Sequence, residues 1–182
     1  MDHYLVFTAM GQDRPGICDE VIQHISDAPC NIIDSRIGSF GDEFTLIMLI
    51  SGSKLAITQI EQTLPRFAQQ RALITLLKRT TPHQHTVTEY MADFTITLTD
   101  APAIIAKFTH FLATRDIDLT TLRTNTTDCA DGSKQLSINI SSRLPDDCHL
   151  IELQEAFTAL CLSLNAQGSV TFSQNNIQGS SA

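Results

Sequence analysis

The segment Asp13-Arg14-Pro15-Gly16-Ile17, followed one helix later by Asn31-Ile32-Ile33-Asp34, combines residue types suited to holding a small charged molecule. A helix that starts beside a glycine presents free backbone N–H groups, and with no Cβ at Gly16 a carboxylate can approach them closely. An asparagine at the opening of the neighbouring strand offers a carbonyl to an ammonium and an amide to a carboxylate. Together they suit a small zwitterion. The same residues are also an ordinary helix-start signal, with Asn31 shaping a turn, and the pattern alone leaves both readings open.

Covalent and acid–base chemistry has no comparable support. The chain carries no G-x-S-x-G, H-E-x-x-H, P-loop or G-x-G-x-x-G pattern, so no catalytic residue is assigned and an enzyme is not expected. His83 and His85 fall in a polar stretch where imidazoles are either solvated or metal-bound; solvation is favoured, and no metal site is assigned. The five cysteines, Cys18, Cys30, Cys129, Cys148 and Cys161, are odd in number and never form a C-x-x-C pair, which argues against a disulfide framework and against zinc. They read as small hydrophobes.

Charge narrows the partners. With a net charge of −8 and a pI near 5.0, the chain has the wrong sign for neutralising phosphates, so no direct nucleic-acid partner is expected. A local basic segment, Arg66, Arg71, Lys78 and Arg79, coincides with a helix end and a strand and reads as a solvated face, with a nucleic-acid contact as the lesser alternative. The longest aliphatic run, Leu46 to Ile50, is far shorter than the ~20 residues of a membrane span, and the start has no basic stretch before an apolar run. A cytoplasmic protein without a membrane partner is expected.

The elements that must position these residues come in two copies. Asp13-Arg14-Pro15-Gly16-Ile17 is echoed by Asp100-Ala101-Pro102-Ala103-Ile104, and the same offset of 87 residues carries Arg36 onto Arg123. In the first copy, strands are expected over His3–Met10, Cys30–Phe40, Glu43–Ile50 and Leu73–Lys78. One helix starts at Pro15 with Ile17, Val21, Ile25 and Ala28 inward, and a second carries Ile57, Ile60, Leu64 and Phe67. In the second copy, strands are expected over Asp93–Leu98, Ile117–Thr127, Gln135–Ser141 and Val170–Phe172, with helices over Pro102–Arg115 and His149–Asn165. The order βαββαβ, twice, predicts an α+β fold: two tandem ferredoxin-like units, each a four-stranded antiparallel sheet with two helices on one face. The expected division is 1–80 for the first unit, 81–87 for a linker, 88–174 for the second unit and 175–182 for a disordered tail. Exposed sheet edges offer a route to a homodimer.

These residues carry a resemblance. His3-Tyr4-Leu5-Val6, Asp13-Arg14-Pro15-Gly16-Ile17, Cys30-Asn31-Ile32, Asp34-Ser35-Arg36, Lys78-Arg79-Thr80-Thr81 and Leu164-Asn165-Ala166-Gln167-Gly168-Ser169, in that order, are similar to stretches of the ACT domain family, the small modules that bind amino acids. The likeness extends over both copies and is strongest to the tandem-ACT regulators of glycine catabolism. It implies a protein with no DNA-binding domain that represses the glycine cleavage operon by binding the operon's LysR-type activator, with glycine or another small amino acid as effector and no cofactor. It also implies that the effector lies at a seam between domains, against Asp13, Arg14, Pro15, Gly16 and Ile17 beside Asn31 and Ile32. The alternative it leaves open is an allosteric amino-acid-binding subunit of a metabolic enzyme.

The second copy departs from this pattern. Ala101 stands at the arginine position, Ala103 at the glycine and Asp118 at the asparagine. A methyl at Ala103 is expected to crowd the anion seat, and Asp118 to repel a carboxylate. The first copy is therefore expected to hold the amino acid and the second to serve as scaffold or partner-binding face.

Overall fold

Apolar residues that alternate along strands and recur at helical spacing along helices meet in two separate cores, one per copy. A computed structural model of the chain describes residues 2–81 and 88–176. Contacts divide it into two units, Met1–His83 and Gln84–Ala182.

The first unit runs β1 (His3–Gln12), α1 (Ile17–Ser26), β2 (Cys30–Phe40), β3 (Glu43–Gly52), α2 (Lys54–Gln70) and β4 (Ile74–Thr80). Its sheet has the order β2-β3-β1-β4, with every neighbouring pair antiparallel. Leu5, Phe7 and Ala9 of β1 and Phe44, Leu46, Met48 and Ile50 of β3 point to one face, where Ile17, Val21 and Ile25 of α1 and Ile57, Ile60 and Leu64 of α2 cover them. The second unit repeats the plan with β5 (Thr88–Thr99), α3 (Ile104–Ala113), β6 (Asp118–Asp128), β7 (Lys134–Leu144), α4 (Leu150–Ser163) and β8 (Gln167–Asn176), in the sheet order β6-β7-β5-β8. A bulge interrupts β2 between Ile32 and Asp34 and β6 between Leu119 and Thr121, the same place in both copies.

The expected ferredoxin-like α+β architecture is present in both copies, while several boundaries shift. Helix α1 starts at Ile17, because Gly16 is its N-cap in a left-handed conformation and Pro15 lies in the turn before it. Strands β5 and β8 zip together from Thr88↔Asn176 onward, so β8 continues past Phe172 and two residues into the tail expected from 175. The apolar pattern misses these ends because a backbone ladder needs no apolar side chains. Of the expected linker, 82–87, including His83 and His85, lies outside the described residues, as does 177–182 of the expected tail.

Candidate functional site

Strand β1 delivers Asp13 to the end of the sheet where the Gly41-Asp42 hairpin joins β2 to β3. Asp13 is held there twice, with its backbone N–H donating to Asp42 O at 2.9 Å and its Oδ2 accepting from Ser39 Oγ at 2.7 Å. The chain then turns through Arg14 and Pro15, and the Ile17 N–H donates to Arg14 O at 3.2 Å. Gln12, Asp13, Arg14, Pro15, Gly41 and Asp42 line an open depression of about 500 Å³.

Gly16 has φ +88°, a left-handed conformation that side-chain-bearing residues rarely adopt, and a Cβ built there would meet nothing within 4 Å. Ala103 occupies the matching N-cap of α3 with φ 62°. Both copies thus open the helix on a left-handed residue, and the second accepts the strain of an L-residue there. The charge of Asp118 is met locally too, with Arg143 Nη1 at 3.4 Å from its Oδ2.

Arg14 is committed to Glu20, one turn into α1, at 2.6 Å, and Arg71 at the end of α2 meets the other oxygen of the same carboxylate at 2.6 Å. Hydrogen bonds from Arg14 and then Arg71 hold the Glu20 carboxyl down at about 2, and the bond to Glu20 raises the pKa of Arg14. The Arg71 guanidinium also lies 3.8 Å above the Phe67 ring centroid, and His24 stacks on that ring at 4.2 Å. This cluster borders a depression of about 660 Å³ between α1 and α2, where His24 Nε2 lies 3.1 Å from Thr63 Oγ1 and burial lowers the His24 pKa.

The two halves of the expected seat do not meet within one copy. Gln12 pairs with Glu43 and Glu43 with Phe40 at one end of the sheet, whereas His3 pairs with Gly52 and Gly52 with Cys30 at the other. Asn31 pairs with Ser51, eight residues along β3 from Glu43, a separation of about 27 Å at ~3.4 Å per residue. The expectation that Asp13 to Ile17 lie beside Asn31 and Ile32 of the first copy is corrected: α1 carries the chain back along the sheet before β2 begins, leaving Asn31 and Ile32 exposed at the far end.

Glu20, Arg71 and Ser39, which fix the loop, were not foreseen. Glu20 was legible in principle, as an acid in the first turn of a helix, where the dipole favours it. Arg71 lies 51 residues away from Glu20, and only the packing of α2 beside α1 brings it there. The basic segment proves to be partly paired, since Arg79 makes a two-pronged contact with Glu61 at 2.6 and 2.7 Å. All five cysteines are free thiols; Cys161 is buried, and burial raises its pKa, as it does those of Cys30 and Cys148. Among the described residues there is no group of three or more His, Cys, Asp or Glu able to hold a metal, and no helix long and apolar enough to cross a membrane.

Two βαββαβ units, each opening its first helix on a left-handed residue, have the build of an ACT-domain protein, and the ACT domain profile matches residues 3–78. Likeness to particular proteins runs the length of the chain. It is 39% identical over 180 residues to the glycine cleavage system transcriptional repressor of Escherichia coli (strain K12), covering 97% of this chain and 95% of that one. A crystal structure of a candidate glycine cleavage system transcriptional repressor superposes with a TM-score of 0.74 at 47% identity, over 96% of this chain and 99% of the other. A protein of unknown role from Galdieria sulphuraria shares the fold at 18% identity and TM-score 0.76, over 95% of this chain and 99% of the other. The chain belongs to the ACT-domain family that includes the Escherichia coli repressor.

Proposed function

We propose that this protein is an amino-acid-responsive transcriptional regulator that restrains the glycine cleavage operon by binding the operon's LysR-type activator in the cytoplasm, without turnover and without contacting DNA itself. The observation that carries this reading is the 39% identity to the Escherichia coli repressor over nearly the whole of both chains. The net charge of −8 supports a protein partner over a nucleic acid.

The effector, glycine or another small amino acid, sits at the entry of α1 in the first copy. Gly16 supplies a backbone that a carboxylate can approach, and Asp13, pinned by Ser39 and Asp42, supplies a carboxylate for the ammonium. Asn31 and Ile32 lie some 27 Å away along the same sheet, so the α1 entry and the Asn31 of one copy do not grip the same small molecule. Regulation requires the effector to bind the free and the activator-bound protein with different affinity.

Thermal melting tests the sensor. With a dissociation constant of ~1 mM, about 10 mM glycine stabilises the fold by about 1.4 kcal/mol and raises Tm by a few degrees, while matched salt does not. Gly16→Val, which forces a β-branched residue into a left-handed conformation, removes the shift. Co-purification with the LysR-type activator, with and without glycine, tests the partner. Absence of a complex in both conditions would refute the regulatory reading, and absence of a glycine shift would move the effector to the activator.

A further inference from the structure

The two sheets differ on the faces their helices leave open. In the first copy that face carries Val6, Met10, Ile47, Leu49, Ile74 and Leu76, because these alternate with the inward residues and pair across the strands. Four of them are strongly exposed: Ile74 and Leu76 at 69%, Ile47 at 45% and Met10 at 43%. The equivalent face of the second copy is polar, with Asp93, Thr95, Ser137, Asn139, Arg123 and Thr171, and closes on itself through Ser141 Oγ donating to Asp93 at 2.6 Å. This largely apolar face, with Thr8 between Ile47 and Leu76 and Arg36 beside Ile47 on the edge, has no counterpart on the otherwise matching second sheet and marks a contact surface.

The charges on that face identify what covers it. The pairings Asp34↔Leu49, Leu49↔Val6 and Val6↔Lys78 form one row across all four strands, with an acid on edge strand β2, its Oδ2 a loose 3.9 Å from Arg36 Nε in the next row, two aliphatic residues in the middle and a base on edge strand β4. A row with opposite charges at its ends is complementary to itself when turned about an axis parallel to the strands. That rotation lays β2 over the β4 of the partner and sets Asp34 opposite Lys78 of the partner subunit, twice. An axis across the strands would instead oppose Asp34 to its own copy.

We propose that the open face of the first sheet is the contact between two copies of this chain, stacked sheet on sheet about a two-fold axis parallel to the strands. Such isologous contacts are the commonest way for like chains to pair, and facing sheets pack about 10 Å apart. Pairing through the edge of β2 is the poorer route, because the bulge at Ile33 breaks the ladder a neighbouring strand would extend. Four strands about 4.8 Å apart and seven residues long present roughly 450 Å² per copy, the low end for a specific interface, so the dimer is concentration-dependent.

Sedimentation velocity on the full chain from about 1 to 200 µM tests this. The wild type is expected to shift from monomer to dimer, and Leu76→Asp to stay monomeric with an unchanged circular dichroism spectrum. Lys78→Glu is expected to weaken association at least fivefold. For geometry, D34C chains mixed with K78C chains are treated with a short bismaleimide spanning the ~10 Å between facing sheets, and the linked peptides are identified by mass. Links between positions 34 and 78 in the mixture, absent from either variant alone, support the two-fold stacking. A chain that stays monomeric at 200 µM, a dimer indifferent to Leu76→Asp and Lys78→Glu, or links between two copies of position 34 would each overturn it.

Discussion

At the residue scale, the α1 entry is fixed by one carboxylate. Glu20 accepts from Arg14, which belongs to the loop, and from Arg71, which belongs to the other helix, so its charge ties the loop to the helix layer. Its folded pKa of about 2 lies below the ordinary 4.5, so its contribution to stability is present above pH 4.5 and is lost as pH falls toward 2. The gap in Tm between the wild type and Glu20→Gln should therefore be constant from pH 7 to about 4.5 and close below that, which melts across the range will show. Screening at this partly exposed site keeps the gap small. Gly16 and Ala103 make the complementary point that the same left-handed backbone can be taken by glycine or, under strain, by alanine.

At the element scale, each unit depends on how closely its second helix approaches the sheet. In the second unit β8 passes under α4 at Gly168, where a Cβ would lie 2.5 Å from Cys161 Sγ and 3.0 Å from a Phe157 ring carbon. The absence of a side chain there lets Phe157 sit against Phe94 at 5.0 Å between ring centroids and fill the core. Gly168→Val should destabilise by about 1–3 kcal/mol through overpacking, read from urea unfolding. In the first unit the start of α2 is set by Ser53, whose Oγ accepts from the Ala56 N–H at 3.2 Å, and the helix runs through Pro65 because Ile57, Ile60, Leu64 and Ala68 bury a continuous stripe around it.

At the scale of the whole molecule, each copy owns a core. Among the described residues, the buried ones of the first core run from Leu5 to Leu73 and those of the second from Ala92 to Cys161. Residues 2–81 expressed alone should therefore unfold cooperatively in urea with a stability of about 3–5 kcal/mol, the range for a single small core. The strand and helix types, the repeat and the central residues of both cores were legible in the sequence, because the periods of 2.0 and 3.6 are local and survive any arrangement of the elements. The turn at Gly16 and the helix start after it were legible as well, since a turn glycine and a helix start are properties of adjacent residues. What only the tertiary structure decided were relations between distant segments. The return of the chain along α1 put Asn31 and Ile32 at the far end of the sheet from Asp13 to Ile17. Packing of α2 beside α1 brought Arg71 to Glu20, and cross-strand register placed Asp34 and Lys78 at opposite ends of one row. Backbone hydrogen bonding between strands sets that register, and no run of neighbouring residues encodes it by itself.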